Sequence, residues 1–183
     1  MKKDPDVSRI LLDLKQIVKL SKRMGKQISK DYEGKRPLLV GLLTGCVPFM
    51  AELIKHITCE VEMDFIDVSS YEGVNTTGNV RVEKDITQDL KDRDIILIED
   101  IIDTGITVAY VINLLKQRKV KSIEIAALLN KPGRRLVKDL EIKYLGVEIP
   151  NEFVVGFGLD YNGLYRNLPY VGVLDEKVYT KGE

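Results

Sequence analysis

Residues 95–107 read Ile95-Ile96-Leu97-Ile98-Glu99-Asp100-Ile101-Ile102-Asp103-Thr104-Gly105-Ile106-Thr107. The four aliphatic residues Ile95–Ile98 predict a buried strand that ends at two adjacent carboxylates. A third carboxylate follows, then a turn of threonine and glycine, then a helical pattern in Val108, Val111, Ile112, Leu114 and Leu115. In an open α/β sheet, ligands bind beyond the carboxyl ends of the strands, and helix-start amides receive anions. Carboxylates beside a phosphate repel it unless they face something else, such as sugar hydroxyls or a hydrated cation. The stretch therefore points to a phosphorylated sugar rather than a bare phosphate.

Working outward, the same alternation of strand and helix recurs. A helix is expected from about Val7 to Ile28, with Val7, Ile10, Leu11, Leu14, Ile17, Val18 and Met24 at helical spacing and Asp4-Pro5 as its start. Leu38–Leu43 predicts a buried strand ending at Thr44-Gly45, before a helix carrying Phe49, Met50, Leu53 and Ile54. Val61, Met63 and Phe65 alternate as a strand, and Ser69 to Asn79 forms a polar loop from which Val80 and Val82 depart as a short strand. Ile123, Ile125, Ala127 and Leu129 form another strand, broken by Lys131-Pro132-Gly133. Short strands follow near Ile142–Val147, Phe153–Phe157 and Tyr170–Leu174. The expected class is α/β: a mainly parallel, twisted sheet flanked by helices. One domain is expected over residues 1–183, with a core of about 36–150 and a small hood lobe from about 1–15 and 151–183.

The 183 residues suffice for one core, and 44% hydrophobic with 31% charged residues is ordinary for a globular domain. No apolar run approaches the ~20 residues of a membrane helix. The start reads as no secretory signal, so the cytoplasm is the expected location. A formal net charge of zero disfavours a strong nucleic-acid binder. Cys46 and Cys59 lack metal-ligand spacing and read as packed thiols, and the single histidine, His56, reads as a surface residue. A proton acceptor, if the chemistry needs one, must then be a carboxylate or a lysine.

Several residues suggest particular chemistry. Thr104, Gly105 and Thr107 offer hydroxyl and amide donors at a helix start, while Glu99 and Asp100 suit vicinal sugar hydroxyls. Asp103 points from the loop toward whatever the sugar's reactive carbon carries. Lys131, at the end of a strand, reads either as an exposed turn lysine or as a fixed donor that favours a carbonyl oxygen over an amino group. Phe153 reads as a core aromatic or as a ring face for a planar group, and Arg166 as a surface ion-pair residue or a fork for a diphosphate.

Taken together, Glu99-Asp100-Ile101-Ile102-Asp103-Thr104-Gly105 resembles the 5-phosphoribosyl-1-pyrophosphate (PRPP) motif of type I phosphoribosyltransferases, and of their hypoxanthine-guanine branch in particular. The resemblance runs from about Leu38 to Leu174. It implies a PRPP site of Glu99, Asp100, Asp103, Thr104, Gly105, Ile106 and Thr107, and a pyrophosphate loop at Leu43-Thr44-Gly45 opposite Arg166. It also implies a mobile loop with Ser70 and Tyr71, and a purine pocket of Lys131, Phe153, Val154 and Asp160. Magnesium is the implied cofactor, with Glu99, Asp100 and Asp160 as its oxygen ligands. Relatives often carry lysine where this chain has Thr44 and Ile106, so neutral donors must serve at both places. The implied reaction is purine salvage: 5-phosphoribose passes from PRPP to hypoxanthine or guanine, with Asp103 assisting removal of the purine N7 proton. The implied assembly is a homodimer or homotetramer. Two other readings share the fold. One is a PRPP-sensing regulator that binds nucleic acid, which would not require Lys131 or Phe153-Val154. The other is transfer to adenine, xanthine or a pyrimidine.

Overall fold

The computed structural model describes residues 3–70 and 80–180. Six strands form one sheet in the order β4-β3-β2-β5-β6-β7. These are β2 (Leu38–Leu42), β3 (Glu62–Ser70), β4 (Val80–Lys84), β5 (Asp94–Ile102), β6 (Ser122–Asn130) and β7 (Tyr144–Glu148). All neighbours pair in parallel except β4, which closes one edge antiparallel to β3. The mainly parallel sheet expected from the sequence is therefore present.

Parallel strands covered on both faces read as continuous apolar runs, and all five residues of β2 are buried. Alternate residues feed two cores. Leu39, Ile96 and Ile98 pack with Ile17, Met24 and Ile28 of α1 (Leu14–Asp31) and with Phe49, Met50 and Leu53 of α2 (Cys46–Leu53). On the other face, Leu38, Val40, Ile95 and Leu97 pack with Val108, Val111 and Leu115 of α3 (Ile106–Gln117).

The first predicted element is wrong over its opening residues. Val7–Leu12 is a strand, β1, and the helix begins only at Leu14. Asp13 caps that helix: its carboxylate accepts from the Gln16 amide at 2.8 Å, and the Gln16 side chain accepts from the Asp13 amide at 2.9 Å. Asp4-Pro5 instead opens a turn closed by the Val7 amide on the Asp4 carbonyl. The apparent helical spacing across Val7, Ile10, Leu11 and Leu14 joined two elements that Asp13 separates.

β1 belongs to a second, three-stranded antiparallel sheet ordered β1-β9-β8, with β8 at Val154–Val155 and β9 at Val171–Leu174. A four-residue helix, α4 (Glu176–Tyr179), follows β9. This small lobe touches the large sheet at the end of β2, where a side chain on Gly158 would strike the Gly45 carbonyl and the Pro48 ring.

Candidate active site

Three adjacent parallel strands bring the predicted site residues to one edge. β2 delivers Leu43-Thr44-Gly45, β5 delivers the acids, and β6 delivers Lys131. The Leu43 amide donates to the Ile66 carbonyl at 2.9 Å, the Leu43–Thr44 peptide is cis, and the Lys131 amide donates to the Ile102 carbonyl at 2.9 Å. Strand β5 runs four residues past the predicted end at Ile98, so Glu99 and Asp100 lie on it rather than after it. Consecutive strand side chains point to opposite faces, and the two carboxylates part accordingly.

Asp100 turns toward the β2 loop. A Cβ on Gly45 would overlap its carboxylate, so any larger residue there must displace the Asp100 side chain. Glu99 faces a small cavity of about 100 Å³ that it shares with Asp103, Thr104, Gly105, Thr107 and Val108. Gly105 caps α3 with φ +82°, a conformation side chains rarely adopt, and Thr104 Oγ1 accepts from the Ile106 amide at 3.4 Å. The first amides of α3 have no partner within the helix and open at this loop. The Ile106 side chain is exposed and brings no charge. The loop is braced from behind, where the Thr104 carbonyl accepts from the Leu136 and Val137 amides at 3.0 and 3.2 Å.

The two strand acids are energetically costly where they stand. Burial, then the neighbouring Asp100, pushes the Glu99 carboxyl well above its ordinary range. Burial raises Asp100 to about 6, against the opposing pull of the Ile101 and Asp100 amides and of Arg166, with Asp160 adding to the rise. Cys46, at the first position of α2, is buried and free, and burial with both acids nearby pushes its thiol up to about 12. It is a packed thiol, as expected.

Asp103 and Lys131 face each other across the loop. Lys131 is only 7% exposed, and its Nζ lies 4.0 Å from Asp103 Oδ2. Burial lowers the Lys131 pKa, Asp103 offsets this, and Arg134 adds to it. Arg134 Nε stands 3.1 Å from Asp103 Oδ1, yet that oxygen is buried without a well-directed hydrogen bond. Sequence reasoning missed Arg134. Its signal was present, as the second cation of Lys131-Pro132-Gly133-Arg134, in a turn that folds back on itself.

The hood supplies the remaining residues. Val154 is buried in β8, whereas Phe153 is 41% exposed. Asp160 accepts from the Gly163 amide at 2.8 Å and pairs with Arg166 at 2.8 Å, and Arg166 also donates to the Gly158 carbonyl at 2.6 Å. Arg166 is thus held beside the Gly45 loop, but by internal partners. Among the described residues, no three of His, Cys, Asp or Glu converge as a metal-holding group, so Glu99, Asp100 and Asp160 form no ready-made cage. Ser70 ends β3, and Tyr71 lies outside the described residues. His56 sits away from the acids, partly buried and 3.0 Å from Glu52.

An acid-bearing parallel strand that runs into a helix-start loop, beneath a small antiparallel sheet, is the layout of a type I phosphoribosyltransferase. The family model described as phosphoribosyl transferase domain matches residues 8–162, and the chain belongs to that family. Within it, the chain groups with the hypoxanthine-guanine phosphoribosyltransferases. It is 52% identical to the hypoxanthine-guanine phosphoribosyltransferase of Streptococcus thermophilus over 179 residues, covering 97% of this chain and 99% of that one. The Streptococcus pneumoniae enzyme of the same name is 49% identical, covering 96% and 97%. A hypoxanthine phosphoribosyltransferase structure from Staphylococcus aureus superposes with a TM-score of 0.91 at 48% identity, covering 95% of each chain. A Trypanosoma cruzi hypoxanthine phosphoribosyltransferase variant, complexed with its product IMP, gives 0.93 at 31% identity, covering 100% and 98%. None of these names favours the regulator reading.

Proposed function

We propose that this chain transfers 5-phosphoribose from PRPP to hypoxanthine or guanine, giving IMP or GMP and releasing pyrophosphate. The observation that carries the residue assignment is the placement of Asp103 against Lys131 beside the acid-bearing loop. Thr104, Thr107 and the first amides of α3 receive the 5-phosphate. Asp100, beside Gly45, faces the ribose and the leaving diphosphate, and Glu99 faces the phosphate loop from the other side of the strand. Lys131 donates to the oxygen at purine C6, Val154 contributes its backbone groups, and Phe153 stacks on the ring. As purine N9 bonds to ribose C1, the bond from C1 to the pyrophosphate oxygen breaks and the N7 proton passes to the Asp103 carboxylate. Positive charge growing on the ribosyl ring meets the fixed acids, which is electrostatic preorganisation.

The donor set suits magnesium: all the candidate ligands are oxygens, and the buried carboxylates favour a compensating cation. Asp100 and Asp160 would hold it together with substrate oxygens, and when bound it neutralises the diphosphate. Arg166 must then leave Asp160 to reach that group. For location we favour the cytoplasm, and for assembly a homodimer or homotetramer; among the described residues no helix is long and apolar enough to cross a membrane. The test is to incubate the protein with magnesium, PRPP and each purine separately, following the ultraviolet change of nucleotide formation. Turnover with hypoxanthine or guanine is expected; turnover with neither refutes the assignment.

A further inference from the structure

Phe153, Tyr161 and Tyr179 come from three separate segments and meet as a closed trio of rings. Tyr179 packs beside Phe153 at a shallow angle, with centroids 5.4 Å apart and planes tilted by 30°. Tyr161 meets Phe153 edge-on, at 5.5 Å and 89°. The two tyrosines are 6.5 Å apart at 64°. Offset and edge-to-face pairs of this kind are mutually attractive and fix ring orientation.

The position of Tyr179 is itself secured. Strand β9 ends at Leu174, whose amide donates to the Phe153 carbonyl at 2.9 Å, so the segment entering α4 is bonded to the residue it covers. The next amide, of Asp175, donates to the Asp6 carbonyl at 2.8 Å, and the Asp175 side chain caps α4 by accepting from the Lys177 amide at 3.0 Å. Tyr179 and Tyr161 also pack against the small core of Val7, Val155, Tyr170 and Leu174. The two tyrosine rings thereby flank Phe153, yet two-fifths of the residue stays open to solvent.

We propose that Tyr179 is a positioning residue for the purine: it backs Phe153 so that the remaining ring face is presented, already oriented, to the planar base. This rests on Phe153 stacking on the purine, as assigned above. A backed ring loses less freedom on binding than a loose one, and the gain appears as base affinity. PRPP, which does not touch the ring, gains nothing.

Steady-state kinetics on Tyr179→Leu, Tyr179→Phe and Phe153→Ala separate the possibilities. Tyr179→Leu is expected to raise KM for hypoxanthine about two- to tenfold, with KM for PRPP and the melting temperature unchanged. Tyr179→Phe, which keeps the ring, is expected to restore the hypoxanthine KM. If Phe153→Ala raises that KM while Tyr179→Leu does not, the backing role is wrong and the stacking role stands. If Phe153→Ala leaves it unchanged, the stacking assignment fails and the inference falls with it. A parallel rise in KM for PRPP in Tyr179→Leu also overturns the proposal, because it marks a general loss of hood structure.

Discussion

Asp103 stands between two cations, Lys131 at 4.0 Å and Arg134 at 3.1 Å. For Asp103 to act as the proposed base, these partners must rearrange when substrate arrives. Asp103→Asn keeps the shape and removes the acceptor, so turnover is expected to fall about 10²- to 10⁴-fold with the melting temperature unchanged. Equal turnover at every pH would eliminate Asp103 as the base. Lys131→Ala removes the donor proposed to meet the purine, and KM for the purine is expected to rise about 10- to 100-fold while that for PRPP moves little. The placement of both residues was legible in the sequence, because the acids follow an aliphatic run and the lysine closes another. Arg134 showed only as a second cation in that turn, since nothing in Pro132-Gly133 says that the turn doubles back onto Asp103.

At the scale of elements, the meeting of β2 and β5 sets both the geometry and its cost. The sequence showed where the aliphatic run of β5 stopped, but pairing with β6 carries the strand on through the acids. Parallel neighbours supply hydrogen bonds that strand propensity alone does not forecast for Asp and Glu. The same limit hid β1: its partner, β9, lies some 160 residues away in the chain, although Asp13 and Gln16 did carry a readable helix-start signal. Gly45→Ala forces a methyl group into the Asp100 carboxylate. It is expected to cost about 1–3 kcal/mol of stability, read by denaturant unfolding, and to weaken PRPP binding.

Asp100 itself is held in the fold at a penalty. Its folded-state pKa of about 6 stands above its ordinary value of 3.8. Below the lower value both states are protonated and nothing is lost. Between the two, the unfolded chain ionises first and the fold loses stability, and above the higher value the full penalty applies. Asp100→Asn is therefore expected to raise the melting temperature of the substrate-free protein at pH 8 by about 2–8 °C. Near pH 4 it should change little, and activity should fall throughout. No gain at pH 8 would show that the carboxylate is better solvated than its burial indicates.

For the molecule as a whole, the opposite sign appears at Asp64. Burial alone would raise this carboxyl, but the Phe65 amide, the Thr87 amide and hydroxyl, and Lys84 together hold it at about 2. These bonds fasten β3 to the chain leaving β4. A depressed carboxyl stabilises fully above its unfolded value and loses that contribution as pH falls toward the folded one. Asp64→Asn is expected to cost about 1–2 kcal/mol at pH 7, with the difference shrinking between pH 4 and pH 2 in acid unfolding curves. The architecture as a class was legible because buried parallel strands announce themselves as apolar runs. Two strands of the small sheet, β8 and β9, were legible as short apolar runs, but their pairing with β1 was not, since the three are two to six residues long and come from distant parts of the chain.

Because β9 lies between β1 and β8, the small sheet cannot close until residue 174 has left the ribosome. By then the whole stretch that carries the sugar-phosphate loop has already been made. Every strand of the large sheet thus exists in the chain before the last strand of the small one has been made, and the order of synthesis runs ahead of the order of assembly.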